Sequence, residues 1–233
     1  MPVQWSKYSL EELRKNAISS YREGGGSRPD VLVIEIQGEQ AVLKDHNRTD
    51  KGFALIVAPL LVWRETKALK KLKQVSGIPN LLSVPDKRAI LMQHIPAEQI
   101  VKLNKIKPVW EDFYPRLLQL INQMHQAGVA HCDLRSPTNT LVTSEGEPVL
   151  VDLVACYCSG AKWNFVSNWI FDLFCKVDLS AVTKLKSKTA PHLLDKSDVD
   201  ATEIAGGAGM LMRRFGQLVR IVSRSLFTSG KKR

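Results

Sequence analysis

The sequence predicts an α+β chain of two lobes: a small N-terminal lobe built on sheet and a reduced, mainly helical C-terminal lobe. Three observations predict it. A β-branched run, Val31-Leu32-Val33-Ile34-Glu35-Ile36, is followed by a polar turn, a second apolar strand and a segment of helical period. Residues 109–127 carry a single apolar stripe at helical spacing. A polar loop then opens into two more short apolar runs, so sheet-forming residues dominate early and helix-forming residues late.

Residues 6–22 read as a short helix, with Leu10, Leu13 and Ala17 on one face, broken by Gly24-Gly25-Gly26-Ser27. The strand 31–36 turns at Gln37-Gly38-Glu39-Gln40 into Ala41-Val42-Leu43-Lys44, a hairpin whose second strand ends at a lysine. Residues 59–75 are helical by the rhythm of Leu61, Arg64, Glu65, Ala68, Leu69 and Leu72. Strands follow at 81–84 and 89–93, and Ile95-Pro96 breaks the chain. In the helix 109–127, Phe113, Leu117, Leu120, Ile121 and Met124 form the stripe and Gly128 supplies the stop. A polar loop, 131–139, precedes strands 140–143 and 148–151, joined by Ser144-Glu145-Gly146-Glu147. A helical stretch around 165–185, a polar linker at 186–203 and a last helix complete the chain. The domain boundaries expected are 1–95 for the sheet lobe, 96–202 for the helical lobe and 203–233 for a basic amphipathic helix and tail.

Composition bounds the function. A hydrophobic fraction of 44% with 24% charged residues is ordinary for a folded domain. The net charge of +10 favours anionic partners: nucleotide, phosphorylated sugar, nucleic acid or an anionic membrane. Nucleic-acid binding is not expected, because no motif and no interleaved aromatics accompany the charge. Cys132, Cys156, Cys158 and Cys175 lack zinc spacing, and Met1-Pro2-Val3-Gln4-Trp5 lacks a signal-peptide pattern. The expectation is a cytoplasmic location with free thiols. No apolar run reaches membrane-spanning length.

Phosphoryl transfer needs a carboxylate that orients the attacking hydroxyl and takes its proton. It also needs an amide and a second carboxylate to hold metal on the phosphates. The segment His131-Cys132-Asp133-Leu134-Arg135-Ser136-Pro137-Thr138-Asn139 places Asp and Asn in one loop, and the strand pair after it ends at Asp152. Preceded by Lys44 at a strand end and Glu65 on the next helix, this order resembles the protein-kinase-like fold across roughly residues 24–185. The resemblance implies ATP and Mg²⁺ as cofactors. It implies Lys44 on the nucleotide phosphates, Glu65 fixing Lys44, and Gly25 and Gly26 as a weak copy of the glycine-rich loop. It further implies Asp133 as the catalytic carboxylate, with Asn139 and Asp152 as metal ligands. For Arg135 three roles are open: a contact with the transferring phosphate, a contact with the substrate, or pairing with a nearby acid. His131 reads as a packing residue that orients the loop, and Cys132 as a small buried one.

The departures narrow the likeness. Asn139 lies six residues after Asp133, one more than in eukaryotic-type kinases, and Leu153-Val154 follows Asp152 in place of Phe-Gly. These features resemble the small bacterial branch of the superfamily, which holds lipopolysaccharide core kinases, Kdo kinases among them, and RIO-type kinases. That likeness implies a glycolipid sugar hydroxyl as acceptor, with a Ser/Thr protein acceptor as the alternative and a nucleotide-binding pseudokinase as the rival. In the last helix, Leu211, Phe215, Leu218, Val219, Val222 and Leu226 face opposite Arg213, Arg220 and Arg224. Such a helix either lies on an anionic membrane or docks on the body; in the first case the protein is peripheral on the inner face of the cytoplasmic membrane.

Overall fold

The computed structural model describes residues 2–103, 106, 108–161 and 163–195. The linker beyond 195 and the last helix expected at 203–233 lie outside the described residues. The chain divides into two compact units, Met1–Gln74 with Ile78–Ile95, and Val75–Gly77 with the chain from Pro96 onward.

The first unit holds α1 (Leu10–Lys15), β1 (Ala17–Arg22), β2 (Asp30–Ile36), β3 (Glu39–Asp45), α2 (Ala58–Lys71), β4 (Leu81–Asp86) and β5 (Ala89–Gln93). Its antiparallel sheet runs in the order β1-β2-β3-β5-β4. Strand period 2 divides its faces. Ala41, Leu43, Ile34, Ile36, Ala89 and Leu91 pack with Trp5 and Leu13 into one core cluster. Asp45, on the same face of β3 as Leu43, binds the Arg14 guanidinium at 2.6 Å. The neighbouring positions Val42 and Lys44 point to the other face.

The helix expected over 6–22 is shorter than its apolar spacing suggested. Ser9 caps α1 in a reciprocal capping box with Glu12, but the helix stops at Lys15 and Ala17–Arg22 becomes an edge strand paired with β2. Ile18, Ser19, Ser20 and Tyr21 are strand or neutral residues, and the ladder offered by β2 outweighs their local choice. The consequence is functional: Gly24-Gly25-Gly26-Ser27 falls in the loop of the β1–β2 hairpin. Gly25 and Arg28 exchange both backbone hydrogen bonds at 3.0 Å. Gly26, at φ 60°, takes the first central position, which suits a two-residue type II′ turn.

The second unit contains β6 (Glu98–Gln99), α3 (Trp110–Gln126), β7 (Val129–Ala130), β8 (Thr140–Val142), β9 (Pro148–Leu150), β10 (Tyr157–Cys158) and α4 (Phe165–Thr189). Helix α3 buries Phe113, Tyr114, Leu117, Leu120, Ile121 and Met124, and Gly128 closes it at φ 74°. Strands β6, β8 and β9 form a small sheet, and β7 pairs with β10. Helix α4 extends further than expected, to Thr189, and only its C-terminal half is well buried. No described helix is long and apolar enough to cross a membrane.

Candidate functional site

In the first unit, Lys44 and Glu65 meet. Strand parity turns Lys44 away from the Leu43 face, and the buried stripe Val62, Glu65, Ala68 and Leu69 aims Glu65 inward from α2. The Lys44 Nζ donates to both Glu65 carboxylate oxygens at 3.0 Å. Only 5% of Lys44 and 2% of Glu65 is exposed. An ion pair removed from water this completely gains little net stability over an apolar pair, which makes a task for the lysine a better reason for its presence. Gly25 and Gly26 lie in the same unit, in the hairpin loop; Gly26 O accepts from Asp50 N at 2.7 Å. An added Cβ on Gly24 would stand 2.7 Å from the Asp30 amide nitrogen, so the loop backbone is tightly packed there.

In the second unit, the loop between β7 and β8 carries Asp133 and Asn139. The Asn139 amide Nδ2 donates to the Asp133 carboxylate at 3.1 Å and to the Asp133 carbonyl at 3.0 Å. Its two hydrogens are thereby used on Asp133, and its oxygen is the atom left to serve as a ligand. Thr140 pairs with Leu150, and Val151 N donates to Asn139 O at 3.0 Å. This register sets Asp152 one residue beyond the partner of Asn139. Asp152 sits at φ 67°, a left-handed conformation rare for a residue with a side chain.

Solvent reaches Asp133, yet its carboxyl is raised above the usual carboxylate range, first by the protein crowded against it. Asp152 and Asp178 push the same way, while His131 and the Asn139 hydrogen bond oppose them. The His131 ring joins two parts of the loop: Asp133 N donates to Nδ1 at 3.4 Å and Nε2 meets the Val151 carbonyl at 3.0 Å. Arg135 is half-buried, two residues past Asp133, and its Nε is shielded from solvent without a hydrogen-bond partner among the described residues.

One residue escaped the sequence reading. Asp178, on α4 and 1% exposed, accepts from His131 N at 2.7 Å and from Cys132 N at 2.9 Å. Its Oδ2 also lies 3.1 Å from His125 Nε2. These bonds hold Cys132 at φ 67°, the residue next to Asp133. The available signal was a lone acid in the otherwise uncharged run Val177–Thr183, which a core helix position tolerates only when its carboxylate has partners.

No family model matches the sequence, and neither does any curated protein. Solved structures do match. The Rio2 kinase from Chaetomium thermophilum aligns with a TM-score of 0.60 at 18% identity, over 82% of this chain and 64% of that one. The ADP/Mg²⁺-phosphoaspartate complex of the same kinase gives 0.59 at 18%, over 83% and 63%. The fold is protein-kinase-like. The chain spans under two thirds of the length of these Rio2 structures.

Within this kinase-like fold, among the described residues no group of three or more His, Cys, Asp or Glu side chains is assembled to enclose a metal. Asn139 and Asp152 offer one amide oxygen and one carboxylate. That hard-oxygen pair fits Mg²⁺, which keeps water and phosphate oxygens in its remaining positions.

Proposed function

We propose that this chain is an ATP- and Mg²⁺-dependent phosphotransferase that moves the γ-phosphoryl group to a hydroxyl. The observation that carries the reading is the clamp of Asn139 on Asp133. It fixes a carboxylate with a raised pKa in a loop whose neighbouring strand delivers a second acid, Asp152. Asp133 orients the acceptor hydroxyl and receives its proton, with orientation the larger share because the transition state is loose. Lys44, held by Glu65, binds phosphate oxygens, and the hairpin loop of Gly25 and Gly26 covers them. Asn139 Oδ1 and Asp152 hold Mg²⁺, which when bound neutralises charge on the phosphate oxygens. The Arg135 Nε, without a partner among the described residues, supports a contact with the transferring phosphate or the acceptor. The Rio2 complex with ADP and Mg²⁺ supports the nucleotide and metal assignments by analogy of fold.

For the acceptor, the spacing of Asp133 to Asn139 and the Asp152-Leu153 pair support a sugar hydroxyl of a lipopolysaccharide core or similar glycolipid, met at the inner face of the cytoplasmic membrane. Transfer to Ser or Thr of a protein is the second reading, supported by the likeness to Rio2. The test is label transfer from γ-labelled ATP with Mg²⁺, to extracted glycolipid and separately to protein, by wild type and Asp133→Asn. Label in glycolipid with wild type alone supports the first reading, and label in protein alone the second. Nucleotide binding without transfer to either acceptor overturns the enzyme and leaves a nucleotide-binding pseudokinase.

A further inference from the structure

We propose that the outer face of the helical segment from Phe53 to Lys71 is a docking surface for an anionic lipid bilayer. The proposal rests on the chemistry of this surface alone and holds whatever the acceptor is. The segment opens with a π-helical turn, Phe53–Val57, and continues as α2. Its first eleven residues, Phe-Ala-Leu-Ile-Val-Ala-Pro-Leu-Leu-Val-Trp, contain no polar side chain. Phe53, Ala54, Ala58 and Val62 are buried, so the inner face is explained by the core. The outer face is not: Leu55, Ile56, Leu60 and Trp63 are 66%, 64%, 53% and 58% exposed. A helix apolar on all sides is ordinarily surrounded, and a contiguous exposed patch of this kind marks a contact surface.

Charge selects the occupant. From Lys51 to Lys73 the only acid is Glu65, which is buried against Lys44. Lys67, Lys70 and Lys71 are exposed on the turns that follow the apolar patch. The Lys67 ammonium lies 5.4 Å from the Trp63 ring centre. Trp63, Thr66, Lys67, Lys70 and Lys71 line a shallow groove of about 380 Å³. An acidic protein surface would match the positive charge of this end and leave the aliphatic end in water. A bilayer satisfies both ends, with head-group phosphates for the lysines, the interfacial zone for Trp63 and the acyl boundary for Leu55, Ile56 and Leu60. Because the inner face remains packed in the protein, the helix lies in the plane of the surface and does not cross it.

The experiment is flotation of the full chain with vesicles of phosphatidylcholine alone or with about 30% phosphatidylglycerol, compared at low and high salt. Wild type is expected to float only with the anionic vesicles and to be released by salt. Lys67→Ala and Lys70→Ala should each weaken binding about five-fold. The triple change Leu55→Ser, Ile56→Ser and Leu60→Ser should weaken it at least about a hundred-fold with thermal unfolding unchanged, since all three side chains are exposed. Brominated acyl chains should quench a fluorescence component that Trp63→Phe removes, a readout that survives if the triple variant misfolds. Undiminished flotation of both the triple and the lysine variants overturns the proposal and moves the contact elsewhere, residues 203–233 included. So does absence of flotation by wild type, or a wild-type dimer that the triple change dissociates.

Discussion

Replacing Lys44 by Met tests whether the buried pair has the physical character its geometry assigns. The substitution keeps most of the aliphatic stem and removes the ammonium that donates to both carboxylate oxygens of Glu65, which is 2% exposed. Breaking a buried pair from one side costs roughly 3–5 kcal/mol. An upper limit follows from the escape open to Glu65, which is to take a proton. At pH 7, against an ordinary Glu value of about 4.3, protonation costs about 3.7 kcal/mol, and at pH 5 about 1 kcal/mol. The native state of the variant holds that proton more tightly than the unfolded chain. Its deficit is therefore full at neutral pH and shrinks as the pH falls toward the unfolded value. Lys44→Met should accordingly lose about 3 kcal/mol near pH 7, a fall in Tm of roughly 6–12 °C, and regain most of the difference from wild type near pH 5. The double change Lys44→Met with Glu65→Leu should return to within about 1 kcal/mol of wild type. Denaturant unfolding followed by fluorescence reads this out, with Trp5, buried in the first unit, as one reporter. A double variant as unstable as the single, or a single variant insensitive to pH, would refute the reasoning.

Three further outcomes follow from the second unit. Asp133→Asn should lower transfer by about 10²–10⁴-fold while slightly raising Tm at neutral pH, because a carboxyl with a raised native pKa destabilises the fold once ionised. That gain should vanish in acid, below the unfolded Asp value, where both states are protonated; a variant less stable than wild type at neutral pH contradicts it. Asp178→Ala removes the acceptor for one buried and one half-buried backbone N–H group, and should cost roughly 3–5 kcal/mol and abolish transfer without touching nucleotide, as chemical denaturation and the transfer assay would show. The Cys175 thiol is pushed up to about 12 by burial, with Asp178 and Asp172 adding to it. Mass-spectrometric mapping near pH 8 should therefore find Cys175 alkylated at least about a hundred-fold more slowly than an ordinary exposed thiol.

How far the sequence spoke for itself differs element by element. Strand β3 and helix α2 were legible from their residues: the short apolar run Ala41-Val42-Leu43 before Lys44, and the helical stripe that carries Glu65 into the core. Strand β1 was not, because nearly all of its residues are exposed and no burial pattern marks it. Leu10, Leu13 and Ala17 share a helical spacing, yet only Leu13 is buried. Missing β1 made the glycine run look like an interruption before a strand; with β1 in place it is a hairpin loop. The polar loop was legible as a set of residue types at fixed intervals. Its support was hidden, since Asp178 lies on a helix whose exposed Phe165, Val166 and Trp169 blur any helical stripe.

The second unit also shows why such a loop needs support from outside itself. Cys132 and Asp152, on either side of the Asp133–Asn139 clamp in sequence, both adopt φ 67°. Neither is glycine, and a side chain held in that region costs on the order of 1–2 kcal/mol. Asp152 and Asp178 both act on Asp133 with like charge, which adds to the penalty. A chain selected for stability alone would relax each of these features with one substitution. They persist because Asp178 over-determines the backbone at His131 and Cys132, and because the β8–β9 ladder fixes the backbone that leads into Asp152. Strain at Cys132 and Asp152, held by bonds from neighbouring elements around a crowded carboxylate, is the pattern expected of a preorganised polar site.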